Sequence, residues 1–86
     1  MIQDTSLMAY EEIKDTLGDK QKLVYDMLKG LGSANNMIIA KKLGWDINRV
    51  TPRVLELRQR GLVIKDSMRV CPITKRVTWF WRVKYD

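Results

Sequence analysis

The chain has 86 residues, 45% hydrophobic and 30% charged, with five glycines and two prolines; this allows one modest core, is too little for two, and is too apolar for a disordered segment. It contains no histidine and one cysteine, which excludes a Cys/His zinc site, an internal disulfide and any nucleophile activated by histidine. The net charge of +6 is unevenly spread, with five acids and one base in residues 1–19 (−4) against fifteen bases and five acids in residues 20–86 (+10), a distribution that points to a polyanionic partner.

The first residues include Asp4 and no basic run, so no secretory leader is expected. In SLMAYEEIKDTLG, Leu7, Tyr10, Ile13 and Leu17 recur at helical spacing with acids on the opposite face, Thr5 or Ser6 can cap the start, and Gly18 can end it. Residues 1–18 therefore read as an acidic amphipathic helix, serving either as an intramolecular lid or as the arm of a homodimer. A second helix is expected from about Asp19, with Val24, Met27, Leu28 and Leu31 as its buried stripe, until GLGS breaks the chain.

The third helix is NMIIAKKLG. Asn35 is a good N-cap, Ile38, Ile39 and Leu43 face inward, and Gly44 fits the left-handed position past the last turn. Ala40 is small enough for another helix to cross close by. Asp46 then caps a fourth helix that runs to about Arg60 and stops at Gly61, with Ile47, Val50, Val54 and Leu57 as its apolar stripe. Pro52 lies inside it. The preferred reading takes the helix through the proline with a slight kink, because Ile47 and Val50 stay in phase with Val54. The other starts it at Thr51, with Pro52 in the favoured first position.

After Gly61 the period changes to two. LVIKDSMRV and VTWFWRVKY read as antiparallel strands joined by the turn CPITKR. Val77, Trp79, Trp81 and Val83 share the face expected to cover the helices, and Phe80 points the other way with Thr78, Arg82 and Lys84. Cys71 beside Pro72 reads as a turn residue, and a solitary thiol suits a reducing cytoplasm. The longest apolar runs, residues 37–40 and 79–81, fall far short of the roughly 20 residues a membrane helix needs. Ten carboxylates scattered over polar faces offer no acid–base pair. Neither catalysis nor a metal or other cofactor is expected.

Two helices joined by a tight turn at Gly44, with a hairpin immediately after the second, resemble a winged helix-turn-helix domain. The run NNMIIAKKLGWDINRVTPRVLELRQRGLV carries the resemblance: a capped short helix with IA near its middle, then LG, Trp45, a new cap at Asp46, an apolar Val50, and the closing Leu57, Gly61, Leu62 and Val63. It covers roughly residues 19–83. TPRVLELRQRGL followed by a basic, proline-containing wing and a tryptophan strand is similar to small winged-helix proteins of phages and prophages.

The resemblance implies an α+β fold, with a three-helix core and a two-stranded antiparallel wing in residues 19–86 and the extra helix in residues 1–18. It also implies double-stranded DNA as the partner, with the fourth helix in the major groove. Asn48, Arg49, Thr51 and Arg53 match the slots that touch DNA. Arginine pairs with guanine and asparagine with adenine, while threonine meets a phosphate or a thymine methyl. Lys75 and Arg76 at the wing tip, with Arg69 on the opposing strand, would meet phosphates or the minor groove. Asn35, Lys41 and Lys42 are phosphate candidates on the third helix, although Asn35 is first a cap, any phosphate there meeting backbone N–H groups of the helix start, and the lysines equally complement the helix dipole. The expected function is a cytoplasmic, sequence-specific transcriptional regulator. The alternatives are a protein-interaction module on the same scaffold and a phage replication or packaging adaptor.

Overall fold

The computed structural model describes residues 17–84. The helix expected over residues 1–18, and with it the lid or dimer arm, lies outside the described residues except for its last two positions. Three helices, α1 (Asp19–Leu31), α2 (Asn36–Leu43) and α3 (Ile47–Gln59), precede an antiparallel hairpin of β1 (Val63–Val70) and β2 (Val77–Val83), so the described chain is α+β.

Local chemistry sets the helix ends. At the start of α1 the Gly18 N–H donates to the Gln21 side-chain oxygen at 3.2 Å. The side-chain oxygen of Asn35 accepts from the Ile38 N–H at 2.8 Å, and that of Asp46 from the Asn48 N–H at 2.8 Å; each satisfies an orphan donor of the following helix. Gly44 closes α2 at φ 71° and Gly61 follows α3 at φ 77°, where a side chain would be strained.

Val24, Leu28, Ile39, Val50, Val54 and Leu57 pack together from the three helices, joined by Val63, Trp81 and Val83 from the hairpin root. The α1 stripe differs from expectation in two places: Tyr25 is buried, while Leu31 is exposed where the helix ends and the chain turns at Gly32. Helix α3 is continuous through Pro52, which lies on its exposed side. The missing N–H therefore orphans the Asn48 carbonyl on a face that water can reach.

The hairpin corrects the period-two reading. Its register pairs Val63 with Val83, Lys65 with Trp81 and Ser67 with Phe80, leaving a bulge at Asp66. Trp81 and Val83 are buried, but Val77 is 60% and Trp79 39% exposed. Phe80, expected to point away from the core, is 5% exposed, with the Arg69 guanidinium carbon 4.3 Å from its ring centroid. Outward from Trp81 the opposite face of β2 turns to the helices: Thr78 accepts from the buried Asn35 side chain at 2.9 Å and Phe80 is enclosed, which leaves Val77 and Trp79 on the face that the described residues cover least. Ala34, between α1 and α2, pins the root: its N–H donates to the Trp81 carbonyl at 3.1 Å, and the Trp81 N–H donates back at 2.8 Å.

Candidate nucleic-acid interface

Turning Val50, Val54 and Leu57 into the core leaves Asn48, Arg49 and Thr51 exposed on the first turns of α3, and no acid lies in its first turn. The Arg49 guanidinium carbon lies 4.9 Å from the Trp45 ring centroid. Such stacking restricts the side chain without consuming its hydrogen-bond donors. The Thr51 hydroxyl donates to the Ile47 carbonyl at 3.1 Å and accepts from Asn36 Nδ2 at 3.4 Å. Asn36 in turn accepts from Trp81 Nε1 at 2.9 Å, so one polar chain links β2 to both α2 and α3.

Arg53 is placed differently from its three companions. Its Nη2 donates to Glu56 Oε2 at 2.8 Å, and its buried Nε lies 2.8 Å from Oε1 without the angle a hydrogen bond needs. Gln21 of α1 donates to the same Oε1 at 2.8 Å. The Gln21 bond, together with the bond and charge of Arg53, outweighs partial burial and holds the Glu56 carboxyl below its ordinary value. Arg53 is thus neutralised at the seam between α1 and α3 and is not presented with Asn48, Arg49 and Thr51. Glu56 three residues further along the helix was the signal for this pairing.

Arg69 is engaged as well. Its Nη2 donates to Asp66 Oδ2 at 2.8 Å and also to the Ser33 hydroxyl, which itself donates to Asp66 Oδ2 at 2.7 Å. Arg82 approaches the other oxygen of Asp66 at 3.7 Å. The Ser33 bond first, then the charge of Arg69, keeps the Asp66 carboxyl below the usual carboxylate range despite desolvation. This cluster roofs Phe80 at the hairpin root.

At the hairpin tip the Cys71 N–H donates to the Arg76 carbonyl and the Lys75 N–H to the Cys71 carbonyl, both at 2.8 Å, with Lys75 at φ 63°. Lys75 and Arg76 are exposed, and no described carboxylate pairs with either. Cys71 is fully enclosed. Burial pushes its thiol up, but hydrogen bonds from the Asn35 side chain, from the backbone and hydroxyl of Thr74 and from the backbone of Ile73 more than offset this and bring it to about 7. Asn35 is buried too. It caps α2, donates to the Thr78 hydroxyl at 2.9 Å and bonds to Cys71, so its side chain has no route to a phosphate. Lys41 and Lys42 are exposed in the last turn of α2, at the negative end of the helix.

An open groove of about 610 Å³ runs between the start of α2 at Asn36 and Met37, the start of α3 at Ile47, and the hairpin at Arg76, Trp79 and Trp81. Ile47 at the head of α3 and Arg76 at the hairpin tip therefore face one concavity, while Arg53 lines a separate hollow beside Gly18 and Gln21. Sequence reasoning missed Asn36, which joins the groove walls, and Arg58, whose guanidinium carbon lies 4.4 Å from the Trp81 ring centroid. No helix among the described residues is long and apolar enough to cross a membrane, and no three described His, Cys, Asp or Glu residues gather as a metal site would. Compared with known proteins, the chain matches no family model, no curated protein and no solved structure.

Proposed function

We propose that this chain is a winged helix-turn-helix protein that binds double-stranded DNA sequence-specifically and acts as a small transcriptional regulator. The observation that carries this reading is the shared groove: Ile47 at the head of α3 and Arg76 at the hairpin tip both line it, and Asn48, Arg49, Thr51 and Lys75, close to them in the chain, are exposed. A major groove about 12 Å wide accepts a helix, and phosphates beside it meet a second cationic element. In this reading Arg49 and Asn48 read base edges, Thr51 supports them from its bond to Ile47, and Lys41, Lys42, Lys75 and Arg76 hold phosphates. Arg53 and Arg69, paired to Glu56 and Asp66, take no part unless those pairs open.

Fluorescence anisotropy with a labelled mixed-sequence duplex tests the proposal. Four phosphate contacts give a log–log salt slope of about −3.6, roughly a 150-fold loss of affinity between 50 and 200 mM salt. Affinity that does not respond to salt, or no binding at the lower salt, overturns it. A second reading, a protein-interaction module on the same scaffold, is favoured by the exposed apolar side chains of the outer hairpin.

A further inference from the structure

We infer that the outer hairpin is a minor-groove wedge: Ile73 at its tip, backed by Val70 and Val77, enters the minor groove of duplex DNA and bends it. The inference rests on the DNA-binding reading above.

The cross-strand pairs Met68–Trp79 and Val70–Val77 stand opposite each other on one face of the ribbon. All four side chains are exposed, and so are Pro72 and Ile73 in the turn. None belongs to the hydrophobic core of the described residues, so the packing of the three helices does not explain why they are apolar. Grouped in this way they form a patch of the kind that marks an interaction surface.

The surroundings of the patch choose its occupant. Asp66 engages Arg69 and Arg82, which leaves Lys75 and Arg76 as the hairpin cations nearest the tip, and no described carboxylate pairs with either. Lys75 and Arg76 flank the tip, and the Lys65 ammonium lies 4.5 Å from the Trp79 ring centroid. A second copy would bring the same cations face to face. A duplex instead offers two phosphate rails on either side of a minor groove about 6 Å wide, which admits a side chain and excludes the whole ribbon. Apolar side chains pressed between base steps there unstack them and kink the duplex by about 20–90°.

A wedge must also resist deflection. The turn is closed by the Cys71–Arg76 and Lys75–Cys71 backbone bonds, and the enclosed Cys71 is tied to Asn35 at the head of α2. Load on Ile73 is therefore passed to the helical core.

Energy transfer across a doubly end-labelled duplex of about 30 base pairs, saturated with the full chain at low salt, tests this. The expected result is shorter end-to-end distance with the wild-type chain and a straight duplex with Ile73→Ser or with Val70→Ser/Val77→Ser, each taken to its own saturation. Lys75→Ala should need more protein and still bend. Circular dichroism melting verifies that each variant is folded. A saturated but unbent duplex with the wild-type chain, or equal bending with Ile73→Ser, overturns the wedge alone. No retention of DNA at low salt overturns the wedge and the DNA-binding reading together. If light scattering finds a wild-type dimer that Val70→Ser/Val77→Ser returns to monomer, the apolar face is a protein contact and the wedge is overturned.

Discussion

Asn35 is the one buried polar residue among the described residues, and it serves three elements at once. Its oxygen caps α2, and its amide reaches Thr78 on β2 and Cys71 in the turn. Asn35→Ala removes the cap and leaves buried groups without partners, so it should cost about 2–3 kcal/mol. At roughly 4–8 °C per kcal/mol for a domain of this size, a thermal melt will detect it easily. An unchanged melting temperature would mean that the capping bond is formed equally well by water. Cys71 extends the same logic to pH. Its thiol, ordinarily near 9.0, stands at about 7 in the fold. Between those values the unfolded chain holds a proton that the folded chain has lost, so folding stability should rise as pH increases from about 7 to 9. Below 7 both states are protonated and the contribution is gone. Melting temperatures of wild type and Cys71→Ser across pH 6–9 check this: the difference between the two should grow in favour of wild type on the alkaline side. A constant difference would contradict it.

Among the elements, the helices were legible because their signals are local. Asn35 and Asp46 before apolar periodicity, and Gly44 and Gly61 after it, mark ends that the backbone must satisfy whatever the tertiary fold. The hairpin strands were legible as strands, yet their faces were not. Period-two alternation says which residues share a face but not that the helices meet one face at Trp81 and the other at Thr78 and Phe80, so it places Trp79 in a core that it only borders. The bulge at Asp66 and the single bridge at Ala34 leave no periodic trace at all. At the candidate site, exposure of Asn48, Arg49 and Pro52 followed from the stripe, and Thr51 entered only through the resemblance. The capture of Arg53 involves Gln21, 35 positions away from Glu56, and only the packing of α1 on α3 brings them together. That capture is testable. Glu56→Gln should release Arg53, strengthen binding to any duplex and steepen the log–log salt slope by up to about 0.9. An unchanged slope would mean that Arg53 stays buried without its partner. Pro52 offers a second test at this scale. A proline inside a helix costs about 3 kcal/mol, part of which is returned by its stiffening of the unfolded chain. Since Pro52 sits on the exposed side, Pro52→Ala should stabilise the protein by roughly 1–2 kcal/mol, read as a higher urea midpoint at constant slope. A lower midpoint would show that the proline ring makes a contact the fold needs.

Across the whole molecule, charge is divided by chain position. Residues 1–16 contain four acids and one base, whereas the three helices and the hairpin carry most of the positive surplus. A tethered acidic segment cannot diffuse away from a cationic surface, and at physiological salt charges interact over about 8 Å. On the DNA-binding reading, such a segment would compete with the phosphates for the cationic surface. Replacing its acids by their amides (Asp4→Asn, Glu11→Gln, Glu12→Gln, Asp15→Asn) removes four negative charges from a net of +6 and gives +10 without shortening the chain. If the competition operates, the variant should bind duplex DNA roughly tenfold more tightly at 50 mM salt, mainly through faster association. The two curves should converge as salt rises, since screening weakens the tethered acids and the phosphates alike. A gain that persists at high salt would point to a specific contact made by the acidic residues. Equal affinity at low salt would show that the acidic segment and the cationic face do not meet.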